Sequence, residues 1–129
     1  MRSATRLAAS EWYADRLTAG YLLAEEAGDM QVDATLRLLL LDKHDTAVTQ
    51  VTAESLLRRH DRIGITLFLE AWRDCDDHTR QHLADAALTA YDGTEADRSA
   101  VQGELDAVIS SRPELAAVAD EVSSCLGLS

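Results

Sequence analysis

The chain has 129 residues, with 12 Lys plus Arg against 23 Asp plus Glu, for a formal net charge of −11. That length suits one domain with its own hydrophobic core and no need of disulfides or a structural metal, and the acidity disfavours direct binding to nucleic acid or to anionic membranes. With 21 Ala and 19 Leu against seven Val, three Ile and six aromatics, and with one Pro and six Gly, the composition excludes a barrel or sandwich of many short strands.

The first apolar pattern predicts a helix from about Ala4 to Ala27, ended by Gly28 in the left-handed conformation. Asp29 then caps a second helix over about Met30 to Asp42. Asp45 precedes a third, Thr46 to Arg59, in which Val48, Val51, Thr52, Ser55 and Leu56 recur at helical spacing. The fourth, about Arg62 to Arg73, is apolar almost all round apart from a strip of Thr66, Glu70 and Arg73, and so belongs in the middle of the core. Asp76 or Asp77 caps a fifth helix that faces inward through Leu83, Ala86, Ala87, Ala90 and Tyr91 and is closed by Gly93. Thr94 and Asp97 resemble a capping box and open a sixth, with Val101, Leu105, Val108 and Ile109 inward. Ser111 as a cap, Pro113 in the first turn and Glu114 start a seventh, whose inner face is Leu115, Val118, Ala119, Val122 and Leu126. The expected fold is all-α: seven helices joined by short turns, and therefore antiparallel, with no strand. Leu36, Leu39, Leu40, Leu56, Leu67, Phe68, Trp72, Leu83, Leu105 and Val118 are its expected core.

A weak internal echo runs through the chain. Asp45, Ala53-Glu54 and Leu57 align with Asp76, Ala84-Asp85 and Leu88 at a shift of 31 residues, the size of one helix pair. Pairs 29–60, 61–93 and 94–127 would then stack as a short α-solenoid behind a capping helix in residues 1–28, with a compact helical bundle as the alternative. The stretch Asp45-Thr46-Ala47-Val48-Thr49, Thr52-Ala53-Glu54-Ser55-Leu56-Leu57-Arg58-Arg59 and Asp61-Arg62-Ile63-Gly64 resembles the helix-pair spacing of HEAT and armadillo repeat proteins of the short bacterial kind. The resemblance covers about Met30 to Leu126. It implies a right-handed solenoid that binds other proteins, usually without catalysis, and it supplies no catalytic residues.

Cys75, His78, His82 and Asp85 form the constellation with the most ligand character. His78 and His82 are four apart on one helix face, which is half of a zinc site, while His44 and His60 lie at opposite ends of the third helix and cannot both join them. The chain has no His-Glu-x-x-His, Gly-x-Ser-x-Gly, Cys-x-x-Cys or phosphate-binding glycine pattern, so no catalytic residue and no cofactor are expected. Arg58, Arg59 and Arg62 form a basic cluster that the dipole at a helix C-terminus explains, with Glu54 placed to pair with Arg58. Cys75 and Cys125 read as free thiols of a reducing cytosol. Residues Met1 to Ser10 hold no apolar run of the signal-peptide kind, and nothing approaches the roughly 20 apolar residues that cross a bilayer.

The functional expectation is a non-enzymatic protein-protein interaction module, a small acidic cytosolic inhibitor or immunity-type protein with a basic partner. The alternative is a metal-dependent enzyme or metal-binding protein using His78 and His82. Asp42, Asp45, Asp74, Asp76 and Asp77 fall in turns on one edge of the expected stack, where they would form an acidic ridge that steers a basic protein.

Overall fold

Local capping decides where most of the helices begin. In the computed structural model, which describes residues 4–91 and 93–128, the elements are α1 (Ala4–Ala8), α2 (Tyr13–Ala24), α3 (Met30–Leu40), α4 (Thr46–Leu57), α5 (Arg62–Asp74), α6 (Asp77–Ala90), α7 (Glu95–Ser111), a 3-10 turn η1 (Pro113–Leu115) and α8 (Ala116–Leu126). The carboxylate of Asp29 accepts from the backbone N–H groups of Gln31 and Val32, at 2.9 and 3.2 Å. Asp45 does the same for Ala47, Asp61 for Gly64 and Asp76 for Thr79, and the Thr94 hydroxyl accepts from Asp97. Each cap satisfies donors that the first turn of a helix leaves open. Gly28 has φ +113°, the conformation expected of it.

The protein is all-α, as expected, but three details differ from the sequence reading. The single N-terminal helix is broken between α1 and α2, because side chains there serve the backbone in place of the helix ladder. Ser10 Oγ accepts from the Trp12 N–H at 3.1 Å and donates to Asp15, while Arg16 Nη1 donates to the carbonyls of Ser10 and Glu11. Ser111 does not cap the last helix. It is the final residue of α7, and its hydroxyl turns back toward the Ala107 and Val108 carbonyls, so Pro113 opens η1 instead. Val118 is only half-buried, since α8 presents Leu115, Ala119, Val122 and Leu126 inward and leaves Val118 on the flank. The other nine expected core residues are buried.

Alternate helices lie side by side. α2, α4 and α6 form one row and α3, α5 and α7 a second, while α8 packs against α5, α6 and α7. The closest packing runs between α2 and α4 and between α4 and α6. Gly20 permits the first of these approaches, because a Cβ there would run into the Thr52 hydroxyl. Central α5 touches α3, α4, α6, α7 and α8 and buries Ile65, Leu67, Phe68, Leu69, Ala71 and Trp72. Each large apolar side chain so buried contributes about 1.5–3 kcal/mol. No helix among the described residues is long and apolar enough to cross a membrane.

Candidate functional site

The five aspartates of the expected ridge have different fates. Asp42 is taken up by the fold: its Oδ2 accepts from Arg16 Nε at 2.7 Å, and its Oδ1 accepts from the N–H groups of His44 and Asp45. The Asp42 and Arg16 side chains are only 6% and 12% exposed. Burial pushes the Asp42 carboxyl pKa up, but Arg16 and the two N–H groups together outweigh it and hold the pKa below the ordinary value. Asp45 is half-buried and caps α4. Asp74, Asp76 and Asp77 remain at the surface. Asp74 pairs with Arg73 at 2.8 Å, and that hydrogen bond lowers its pKa. Asp77, fully exposed, meets Arg80 at 3.3 Å. Asp76 is lowered first by the Thr79 N–H it caps, and more weakly by the charge of Lys43 from the turn between α3 and α4. The charge of Lys43 thus acts from one turn on the other, and the acids of these turns are interleaved with cations: Arg16, Lys43, Arg73 and Arg80.

His78 and His82 stack edge to face with ring centroids 5.1 Å apart on α6. Cys75 does not join them, since its Sγ donates to the Trp72 carbonyl at 3.3 Å. Asp85 is exposed, and its charge acts on Cys125 of α8. Among the described residues no group of three His, Cys, Asp or Glu side chains could hold a metal ion. Both cysteines are free, and burial pushes both thiols up, which keeps them protonated and poorly nucleophilic.

The basic cluster disperses. Arg59 reaches across to the Ala24 and Glu25 carbonyls, at 2.7 and 3.0 Å, and pairs with Asp61. Its cation therefore serves the C-terminal end of α2 rather than that of its own helix. Glu54 meets Gln50 at 3.5 Å, and no ion pair joins it to Arg58 among the described residues.

Three features escaped the sequence reading. Glu70, on the polar strip of α5, is buried between Arg37 on Oε1 and Arg112 on Oε2, at 3.1 and 3.4 Å, so that one carboxylate ties α3, α5 and the end of α7 together. The partners lie 33 and 42 residues away in sequence, beyond any local pattern.

The second feature is a set of exposed apolar side chains. Of the eight exposed large apolar side chains among the described residues, six fall within residues 12–38: Trp12, Tyr13, Tyr21, Leu22, Met30 and Leu38. Trp12 is 73% exposed, Met30 85% and Leu38 76%. Here the available signal was the aromatic content of residues 12–21, which holds three of the six aromatics in the chain.

The third is an apolar pocket of about 30 Å³ where the end of α4 meets α5, α6, α7 and α8. Ile65, Phe68, Val101, Val122 and Leu126 are among its lining residues, together with the polar groups His60, Tyr91, Asp97 and Glu104. His60 adopts φ +54°, which a non-glycine residue seldom does. No family model, curated protein or solved structure matches the chain.

Proposed function

We propose that this chain is a non-enzymatic protein-binding module, a short HEAT-like stack of helix pairs of the small acidic inhibitor or immunity type, acting in the cytoplasm on a basic protein. The observation that carries the reading is the crowding of exposed Trp12, Tyr13, Tyr21, Leu22, Met30 and Leu38 into one end of the chain. Exposed aromatic and large aliphatic side chains cost solubility unless a partner covers them, and rigid aromatics anchor protein interfaces. The net charge of −11 supplies long-range attraction for a basic partner. On this reading the acidic turns steer the encounter, and the N-terminal apolar surface holds the complex.

Affinity capture from the native host tests the proposal. Wild-type protein should retain a basic protein in stoichiometric amount. A Trp12→Ala, Tyr21→Ala, Leu38→Ala variant with an unchanged circular dichroism spectrum should lose it. Equal retention by the folded variant, or enrichment of no basic protein by the wild type, overturns the proposal.

A further inference from the structure

A cleft of about 340 Å³ opens between the turn before α3, α3 itself, the first turns of α5 and the end of α7. That volume falls within the range of small-molecule sites. Its lining carries Arg37, Arg62 and Arg112 against Asp33 and Glu70, three cations against two acids. The grooves beside α1 and between α2 and α4 balance two cations against two acids each. In a chain of net charge −11, this cleft therefore runs against the general field. The acids around it are already committed. Asp33 Oδ1 accepts from the Gly28 N–H at 2.8 Å, each Glu70 oxygen is held by an arginine, and Glu114 accepts from Arg112 Nε at 3.0 Å. Donor capacity is what remains. Arg37 spends Nε and Nη2 on Glu70, which leaves Nη1, and exposed Arg62 gives no guanidinium N–H to a protein partner among the described residues. Because Glu70 already fixes Arg37 and Arg112, those two side chains lose little freedom when a ligand arrives. Ile63 and Leu67 add an apolar wall to the same cleft.

We infer that this cleft binds a small phosphate monoester, with the phosphate on Arg37 Nη1, Arg62 and Arg112 and the organic part toward Ile63 and Leu67. Guanidinium groups from three separate places in the chain suit the three terminal oxygens of a phosphate, whereas the two oxygens of a carboxylate are filled by a single arginine fork. A free phosphate ester and a phosphorylated serine side chain present this same chemistry. None of the exposed apolar side chains of residues 12–38 lines the cleft, so the site stands independently of the role given to them.

Methyl NMR of the full chain at fixed ionic strength decides the matter, with n-propyl phosphate and sodium butyrate as separate probes. The phosphate should shift the methyl signals of Ile63 and Leu67 saturably, and butyrate should bind roughly tenfold more weakly, as expected for losing one charge-assisted hydrogen bond. Arg62→Gln should weaken n-propyl phosphate binding by roughly tenfold. Arg62 makes no side-chain tie within the described fold, so this variant should keep the circular dichroism spectrum of the wild type. Arg58→Gln removes the same charge from an exposed position in the groove between α2 and α4, and should leave the affinity unchanged. No saturable shift with the phosphate, butyrate binding as tight as n-propyl phosphate, or equal affinity of the folded Arg62→Gln and Arg58→Gln variants overturns the assignment. A parallel titration with N-acetyl-O-phosphoserine N-methylamide separates the sources. Tighter binding of that probe than of n-propyl phosphate assigns the site to a phosphorylated protein side chain, and the reverse assigns it to a free phosphate ester.

Discussion

The turn between α3 and α4 and the turn between α5 and α6 are built from the same parts, aspartates flanking a helix cap, and they do different work. In the first, Asp42 is nearly sealed from water and holds Arg16 and two backbone N–H groups, while Asp45 caps α4. In the second, Asp76 caps α6 in the open, and Asp74 and Asp77 pair with neighbours on their own helices, Arg73 and Arg80. The difference is one of reach and burial. The Arg16–Asp42 pair spans 26 residues and fastens α2 to the end of α3, whereas the outer pairs link residues one and three apart and fasten nothing. Removing one partner of a buried, hydrogen-bonded ion pair is costly because it strands the other charge away from water, whereas losing a pair that lies along one exposed helix costs little.

The largest effect expected from this contrast is at Asp42. Asp42→Ala should lower unfolding stability by about 3 kcal/mol in urea denaturation, because it strands the Arg16 cation and two turn N–H groups. A loss comparable to that of an exposed aspartate would erase the contrast. The same residue sets a pH dependence. Its folded pKa lies below the ordinary 3.8, so its contribution is present above that value and is lost as pH falls through the folded pKa. The stability gap between wild type and Asp42→Asn should therefore be wide at neutral pH and should close below about pH 4. A gap that stays constant into strong acid would show that the carboxylate charge is not what Arg16 requires.

A smaller effect belongs to the cap of the second turn. Asp76→Ala should lower the Tm by less than Asp42→Ala does, and Asp76→Asn should restore most of the loss, since an asparagine side chain accepts the same N–H bond. Failure of the asparagine to rescue would mean that charge, not capping, is what Asp76 supplies. Smallest of all, Asp74→Asn with Asp77→Asn should leave the Tm within about 1 °C of wild type. With the captured basic partner in hand, that double variant should slow association and flatten its salt dependence in stopped-flow measurements, leaving dissociation unchanged. Unchanged association kinetics would reduce the outer aspartates to solvated ends of α5 and α6.

Much of the fold was legible because helix starts are local events. Asp29, Asp45 and Thr94 stand next to the apolar runs they cap, and a cap needs only the backbone of the next three residues. The same reasoning misplaced Ser111, where a serine, a proline and an acid in the right order were outbid by a helix that had one more residue to run. It also joined α1 to α2, since nothing local says that Arg16 will spend its guanidinium on the Ser10 and Glu11 carbonyls as well as on Asp42. Of the expected ridge, the sequence showed five acids near turns. Which of them were already committed to the interior depended on partners elsewhere in the chain.

By itself, then, the sequence determined the all-α class, the order of the helices and nine of the ten residues expected in the core, but not the buried face of α2, Ala19, Leu23 and Ala24. Helix period, caps and the Ala and Leu content act within a few residues of one another. Tertiary structure alone decided the rest: that the Asp42 side chain is nearly buried against Arg16, that Glu70 is clasped by Arg37 and Arg112, and that Tyr91 and Glu104 line one pocket from different helices. Those outcomes turn on which side chains meet across helix interfaces, and on how much water the meeting excludes. Burial sets the strength of each electrostatic contact, and it is a property of the packed assembly, not of any stretch of chain.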